Sequence, residues 1–447
     1  MADDQDRALL DDLLARARRA GADGADAVYI RAQSQSVSER LGAPEAVERS
    51  EESDLGLRVF VGQRQAGVAT SDISPAALDT ACARAVAMAR AAPEDPFARL
   101  ATAAEICQEP ATLEMFDADE PTAESLRARA RACEEAARAV DGVTNSEGAE
   151  AGWGVNDVAV ATSNGFFGRY RRSSHSVSAS VLAGHGQEME RDYDYDSKVF
   201  VEDLADGAAI GRSAGQRAVA RLGARSPETG QFPVVFGKRV SASLLGHFAR
   251  AINGEAIARG TSFLKDSLHE PVFAPAITVI DDPHRPRGFR SRPFDAEGIA
   301  TRRREIVAAG ALQTWLLDLA TAAQLDLTTT GHASGGVGAP PHPAASNLYI
   351  AAGDASFDAM IGDIDRGFLV NEMMGMGVNM VTGDYSRGAA GFWIENGEIT
   401  YPVSEATIAG NLKDMFLHLT AADDLEFRFG TDAPSLRVDG MTVAGAG

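Results

Sequence analysis

The chain has 447 residues, of which 45% are hydrophobic and 24% charged, so it is neither disordered nor a short disulfide-stabilised module. Its 42 basic and 64 acidic residues give a net charge of −22. Because phosphate binding needs a surface rich in Lys and Arg, this balance argues against direct contact with nucleic acid, and an acidic membrane surface would repel the chain as well.

The N-terminus has no basic segment followed by an apolar one, and no stretch approaches the ~20 apolar residues of a membrane helix. We therefore expect a cytoplasmic protein without a membrane span. The three cysteines, Cys82, Cys107 and Cys133, are an odd number and lie far apart, which excludes a disulfide framework or a CxxC metal motif. Cys82 and Cys133 fall in helical patterns and are expected to be small buried residues.

The first half predicts helices packed on antiparallel strands. Helical spacing of apolar residues, or a capping residue such as Ser74 or Thr122, predicts helices over 9–20, 75–92, 122–140 and 204–222. Strand patterns cover 27–38, 55–70 with a turn near Gly62, and 143–182 with a hairpin at Asn164-Gly165. Residues 188–196 alternate acid with aromatic, which predicts a half-exposed strand with one acidic face, or a rim for a basic partner.

The second half mixes the same elements. Strands are expected at 232–236, 272–280, 302–317 (a hairpin), 367–371, 378–382 and the hairpin at Asn396-Gly397, and helices at 241–259, 316–325 and 411–419. Residues 331–346 form a Gly/Pro-rich loop, mobile or wrapped against a partner. Without a βαβ rhythm, the fold class is α+β, with mixed or antiparallel sheets and flanking helices. A linker at 226–230 divides it into an N-terminal α+β domain, 1–225, and a β-rich C-terminal domain, 226–447.

Motifs of common enzymes are absent: no Walker A, GxGxxG, GxSxG or HExxH sequence occurs. The eight histidines are dispersed, and His247 is expected to be a hydrogen-bonded residue of its helix rather than a metal ligand. Residues 383–388, Gly-Asp-Tyr-Ser-Arg-Gly, bring a carboxylate, a phenol, a hydroxyl and a guanidinium together. They predict either a cleft lining or a turn satisfied by its own side chains, and no histidine can be assigned as a base for Ser386.

Longer segments are more specific than these motifs. They include residues 189–193 (Met-Glu-Arg-Asp-Tyr), 261–267 (Thr-Ser-Phe-Leu-Lys-Asp-Ser), 293–298 (Pro-Phe-Asp-Ala-Glu-Gly), 330–332 (Thr-Gly-His) and, above all, 382–393 (Thr-Gly-Asp-Tyr-Ser-Arg-Gly-Ala-Ala-Gly-Phe-Trp), continued at 395–398, 401–405 and 408–414. Together these segments resemble the TldD/PmbA family, and specifically its TldE (PmbA) branch, over nearly the whole chain.

The resemblance implies a subunit of the TldD/TldE metalloprotease, a cytosolic heterodimer that degrades or trims unfolded peptides. In that family the TldD subunit carries zinc on a helical H-E-x-x-x-H motif and a late cysteine. Here His247 matches the first histidine, but Phe248, Ile252 and Phe429 occupy the positions of the glutamate, the second histidine and the cysteine. The resemblance therefore implies no catalytic and no metal-binding residue in this chain, no cofactor of its own, and zinc in a TldD-like partner.

The implied role is architectural: the C-terminal half would pair with the partner and enclose a chamber for extended peptides. Candidate chamber or interface residues are His332, Asp384, Tyr385, Ser386 and Arg387. Two other readings stay open. One is a homodimeric peptide- or protein-binding regulator of the DNA gyrase modulator type without hydrolytic activity, and the other is a hydrolase that uses Asp384, Ser386 or His247 by itself.

Overall fold

A computed structural model describes residues 2–445. The first half forms a six-stranded antiparallel sheet in the order β3-β2-β1-β4-β5-β6. Its strands are β1 Gly24–Arg40, β2 Ala43–Val61, β3 Arg64–Thr70, β4 Val143–Thr162, β5 Phe167–Ala183 and β6 Glu190–Lys198. The expected hairpins at Gly62 and at Asn164-Gly165 are confirmed, because β2 meets β3 and β4 meets β5 at these turns.

Helices cover one face of this sheet. They are α1 Ala2–Ala20, α2 Pro75–Ala91, α3 Ala123–Arg138 and α4 Gly207–Ala220. The predicted caps are present, since the Ser74 side chain accepts a hydrogen bond from the Ala77 N–H and that of Thr122 from the Ser125 N–H. At Gly211 a β-carbon would lie 1.9 Å from the Cys133 carbonyl oxygen, so only glycine allows α4 to pack this closely on α3. All three cysteines are buried and free.

The second half contains a closed barrel. Five strands follow one another in the ring β16-β15-β14-β7-β19 and back to β16, with β17 attached to β19. These strands are β7 Gly230–Phe236, β14 Arg366–Met374, β15 Asp384–Glu395, β16 Glu398–Asn411, β17 Leu419–Ala421 and β19 Leu436–Gly445. Trp393 and Phe368 are fully buried in its core, which continues into the helix that follows β7.

A small mixed sheet, a two-stranded pair and five short helices complete this half. The strands are β8 Val279–Asp281, β9 Arg304–Ala308, β10 Ala311–Leu312, β11 Ala333–Ser334, β12 His342–Pro343, β13 Leu348–Ile350 and β18 Thr431–Asp432. The helices are α5 Lys238–Ala251, α6 Gly254–Ala258, α7 Leu319–Gln324, α8 Phe357–Gly362 and α9 Leu412–Leu417. The α+β class with mixed and antiparallel sheets is confirmed; the division of the chain at residue 226 stays a prediction. No helix in residues 2–445 is long and apolar enough to cross a membrane.

Three expected elements of this half are wrong. The helix over 241–259 is broken, because the Asn253 side chain accepts a hydrogen bond from the Glu255 N–H and starts α6. The strand over 272–280 is reduced to β8, and Val378 forms only an isolated bridge with Tyr385 in a turn. For residues 272–280, bonds to a distant segment replace the local preference: the Val272 N–H, for example, donates to the Gly310 carbonyl.

The Gly/Pro-rich loop of residues 331–346 lies against the chain's own first half. A β-carbon on Gly67 would come within 2.7 Å of the Gly338 carbonyl oxygen, and one on Gly56 within 3.0 Å of the Val337 Cα. The loop is therefore packed on β2 and β3, and the expectation of a mobile or partner-bound segment is corrected. The glycines on both sides make this close approach possible.

The acidic face of β6 is buried, not half-exposed. Asp192 pairs with Arg239 at 2.5 Å, and Asp194 pairs with Arg217 at 3.0 Å. Arg428 donates to the Tyr195 carbonyl on the same strand. Arg239 and Arg428 belong to the second half of the chain, which contains the barrel. The basic groups that face this strand are therefore supplied by the chain itself. Arg217 likewise donates to the Tyr193 carbonyl, so arginines bind two backbone carbonyls of this edge strand.

Candidate functional site

Helix α5 carries His247, the residue that matches the first histidine of the family motif. The side chain is 8% exposed, and its Nε2 has no hydrogen-bond partner among the described residues, so the expected hydrogen bond is absent at this atom. The ring lies edge-on to Tyr385, with the centroids 6.0 Å apart. Burial, followed by the nearby charges of Arg387 and Arg250, lowers the pKa of His247 to about 4. The imidazole is therefore neutral at physiological pH, with an unused polar atom.

The other motif positions do not fit a zinc ion. Phe248 and Ile252 are fully buried in the core, and the Phe248 ring packs at 4.9 Å on Phe273. Phe429 lies elsewhere, at the junction with the first half, 5.4 Å from the Tyr195 ring. Within residues 2–445, no three His, Cys, Asp or Glu side chains are grouped closely enough to hold a metal. These positions carry no nitrogen, oxygen or thiolate donor, and catalytic zinc normally takes three protein ligands.

The cluster of residues 384–387 begins β15, and strand alternation separates its members. Tyr385 points into the core and donates a hydrogen bond to the Met373 sulfur at 3.3 Å, whereas Asp384 and Ser386 are exposed. Hydrogen bonds from Thr382 and Asn411 lower the pKa of Asp384. Arg387 is half-buried and donates to the Met374 carbonyl at 3.2 Å. The geometry agrees in part with both alternatives. The cluster is a turn satisfied by its own hydrogen bonds, and it also presents the polar atoms of Asp384 and Ser386 to a surface.

An open depression of about 600 Å³ lies beside this cluster. It is lined by Asp384, Tyr385, Ser386 and residues 376–380. The turn of residues 376–380 is held in place, because its Gly377 carbonyl accepts the Ser386 N–H at 2.7 Å. No hydrogen bond joins Ser386 to a histidine in the described part of the chain, so the geometry offers no base for a serine nucleophile.

His332 does not belong to this surface. It is buried, and its Nε2 lies 3.1 Å from the Asp281 carboxylate on β8 while its Nδ1 lies 2.8 Å from the Thr330 hydroxyl. Asp281 also accepts the N–H and the hydroxyl of Ser346. Burial alone would raise the pKa of Asp281, but His332 and Ser346 outweigh it and the pKa is lowered. His332 therefore holds the loop of residues 331–346 onto β8, and its assignment as a substrate or interface candidate stays a prediction.

Sequence reasoning missed a second buried polar group, between the two halves. Asp295 accepts the N–H groups of Glu297, Ile299 and Ala333, and Glu297 accepts the Leu319 N–H at 2.9 Å. Arg58 of β2, which is paired with Asp26, faces Glu297 at 4.0 Å. Burial and the carboxylate of Asp295 raise the pKa of Glu297 well above the ordinary value. The sequence signals were two acids in the otherwise apolar segment 293–299 and the resemblance of residues 293–298 to the family.

Replacing Glu297 by glutamine is expected to stabilise the protein at neutral pH. The folded state holds a proton on Glu297 above the ordinary glutamate pKa of about 4.3, so ionisation costs stability as the pH rises through that window. Glutamine keeps an acceptor for the Leu319 N–H without the charge. Urea titrations should show a free energy of unfolding that is higher than that of the unmodified protein by about 1–3 kcal/mol at pH 7 and unchanged below pH ~4. An equal gain at both pH values would show that charge is not the cause.

Comparison with known proteins places these features in a family. Models of the PmbA/TldA metallopeptidase match domain 1 at residues 25–89, the central domain at 116–222 and the C-terminal domain at 229–445. Metalloprotease PmbA of Escherichia coli O157:H7 is 37% identical over 95% of this chain and 92% of its own length. The PmbA homolog of Haemophilus influenzae is 36% identical over 96% and 94%. The chain belongs to the PmbA/TldD metallopeptidase family.

Solved structures share the complete fold. A putative modulator of DNA gyrase from Bacteroides thetaiotaomicron superposes with a TM-score of 0.92 at 27% identity, covering 100% of both chains. TldE from Thermococcus kodakarensis has a TM-score of 0.87 at 20% identity over 98% of this chain and 100% of its own, a likeness of fold alone.

Proposed function

We propose that this chain is the metal-free subunit of a two-chain zinc metalloprotease that processes or degrades unfolded peptides in the cytoplasm, with the zinc held by a TldD-like partner. The observation that carries the proposal is the burial of Phe248 and Ile252. These side chains fill the core at the positions where the metal-bearing subunit is expected to have its base and second histidine. A lone imidazole at His247 does not make a catalytic zinc site.

In this proposal the chain supplies surface rather than chemistry. Asp384 and Ser386 line the open depression in the C-terminal half and Arg387 follows them on β15, so all three are candidates to meet a peptide or the partner. Tyr385 and His247 pack behind them and support that surface. The proposal assigns no bond-making or bond-breaking step to any residue of this chain.

The test compares the purified chain, its TldD-like partner and the mixed pair. Zinc content is measured by mass spectrometry and cleavage with an unfolded peptide, with and without a chelator. We expect zinc and chelator-sensitive cleavage only where the partner is present, and His247→Gln in this chain should leave the zinc content of the pair unchanged. Stoichiometric zinc or chelator-sensitive cleavage by the lone chain would contradict the assignment.

A second candidate is a homodimeric regulator that binds peptides or proteins without hydrolysis. The observation in its favour is the description of the Bacteroides relative as a putative modulator of DNA gyrase. With a net charge of −22, such a role would run through protein contacts rather than DNA. A pair that does not form, or forms without activity, would favour this candidate, whereas an active pair would exclude it as the main function.

A further inference from the structure

Strand β2 has an open edge along half of its length. Its outer neighbour β3 pairs only with residues 55–61, while residues 46–54 pair with β1 on the inner side alone. No other strand of residues 2–445 pairs with this segment, and no loop donates a backbone hydrogen bond to it. In an antiparallel strand, every second residue then directs its N–H and C=O outward. We call residues 46–54 the free edge; at about 3.4 Å per residue it is about 30 Å long.

The free edge is acidic. It carries Glu48, Glu51, Glu52 and Asp54, and its only base, Arg49, is paired with Glu51 at 2.9 Å and faces Glu120 at 3.5 Å. Its apolar residue Val47 is 60% exposed. Edge-to-edge pairing with a second copy would place acids beside acids, which is unfavourable in a sheet. A strand with basic side chains has the complementary charge.

The sheet face beside this edge leaves room for side chains. Ser34 lies opposite both Ser50 and Gly154, and Ser36 opposite both Glu48 and Gly152. These small residues line part of a cavity of about 690 Å³ that also reaches Val47 and Arg49. Glu48 and Glu52 share this face, since successive residues of a strand alternate. Glu48 and Glu52 are about 13.6 Å apart along the strand, so of three basic side chains at alternate positions of an added strand, the first and the third would lie beside the two carboxylates.

We propose that the free edge of β2 binds an extended cationic segment of an unfolded polypeptide by strand addition, with Lys or Arg at alternate positions facing Glu48 and Glu52. Backbone hydrogen bonds would supply affinity without a fixed sequence, and the carboxylates would select the charge. This binding needs neither zinc nor the partner subunit and uses a different surface from that beside Tyr385. Its failure would leave the assignment of the metal-free subunit untouched.

The test uses the full chain and three labelled peptides of equal length: alternating Lys and Thr, alternating Glu and Thr, and the Lys–Thr peptide N-methylated at every second residue. Fluorescence anisotropy should show binding of the first, and binding at least about tenfold weaker for the other two. Hydrogen exchange should show new protection within residues 46–54. Equal binding of the N-methylated peptide, or protection located elsewhere, would overturn strand addition.

Charge reversal at the free edge supplies the matched variant. Glu48→Lys combined with Glu52→Lys should weaken binding of the Lys–Thr peptide by about tenfold or more. The control, Glu109→Lys with Glu398→Lys, changes the net charge equally at two exposed residues away from β2 and should stay within about twofold. Equal loss in both variants would overturn the proposal. So would protection of residues 46–54 that rises with protein concentration without peptide, because a second copy would then occupy the edge.

Discussion

Replacing Phe248 by glutamate is expected to lower the free energy of unfolding by about 4 kcal/mol or more. The side chain is fully buried, with ring centroids 4.9 Å from Phe273 and 6.1 Å from Phe416. Losing a buried phenylalanine costs about 3–5 kcal/mol, and a carboxylate without a partner adds to that cost. The free energy of unfolding of a typical domain is only about 5–15 kcal/mol, so the C-terminal half should lose most of its stability. Urea unfolding followed by circular dichroism measures the change.

The control is Phe248→Met, which keeps an apolar side chain and should cost less than about 1.5 kcal/mol. A stable Phe248→Glu variant that bound zinc after a second change, Ile252→His, would contradict this account. The expected outcome is that a metal site cannot be restored by these two substitutions alone. The positions now belong to the packing of α5 against the barrel.

Replacing Asp281 by alanine is also expected to lower the free energy of unfolding strongly. Replacing it by alanine removes the partner of His332 and the acceptor for both the N–H and the hydroxyl of Ser346. Breaking a buried pair of this kind costs about 3–5 kcal/mol. Because the pKa of Asp281 is lowered in the folded state, its contribution is present above the ordinary aspartate pKa of about 3.9 and is lost as the pH falls through the folded pKa. Thermal and urea unfolding between pH 3 and 7 measure both effects.

His342 provides the matched control in the same loop. It is exposed, so His342→Ala should change the unfolding free energy by no more than about 0.5 kcal/mol. His332→Ala should destabilise strongly, because it leaves the buried Asp281 carboxylate without one of its hydrogen-bond partners. If His332→Ala kept full stability but impaired peptide cleavage by the proposed two-subunit pair, the structural role would be wrong and a functional one would replace it.

Local signals predicted the first half well. Ser74 and Thr122 start their helices, and the Asn164-Gly165 turn joins two strands, because each signal acts on backbone groups within a few residues. The second half was predicted less well. Residues 272–280 have a strand-like composition, yet their hydrogen bonds go to distant turns such as the one at Gly310. A capping asparagine inside an apolar helical pattern, Asn253, was enough to break the predicted helix.

The candidate site, too, could be predicted only in part from local sequence signals. Residues 384–387 could be selected from the sequence, but strand alternation buries Tyr385 and exposes Asp384 and Ser386. The contact of Tyr385 with His247 joins residues far apart in the chain, and no local sequence pattern predicts it. His332 is a candidate because its segment resembles the family, but in the structure its side chain is buried and hydrogen-bonded to Asp281.

The sequence by itself determined the size, the acidic charge, the helix caps, the tight turns and the replacement of the motif residues at 248, 252 and 429. Only the tertiary structure decided that Phe248 fills a core, that aspartates of β6 meet arginines of the C-terminal half, and that half of β2 has no outer neighbour among residues 2–445. The physical reason is range. Capping and turn formation act over a few residues, whereas burial, ion pairing and strand pairing depend on which distant segments come together.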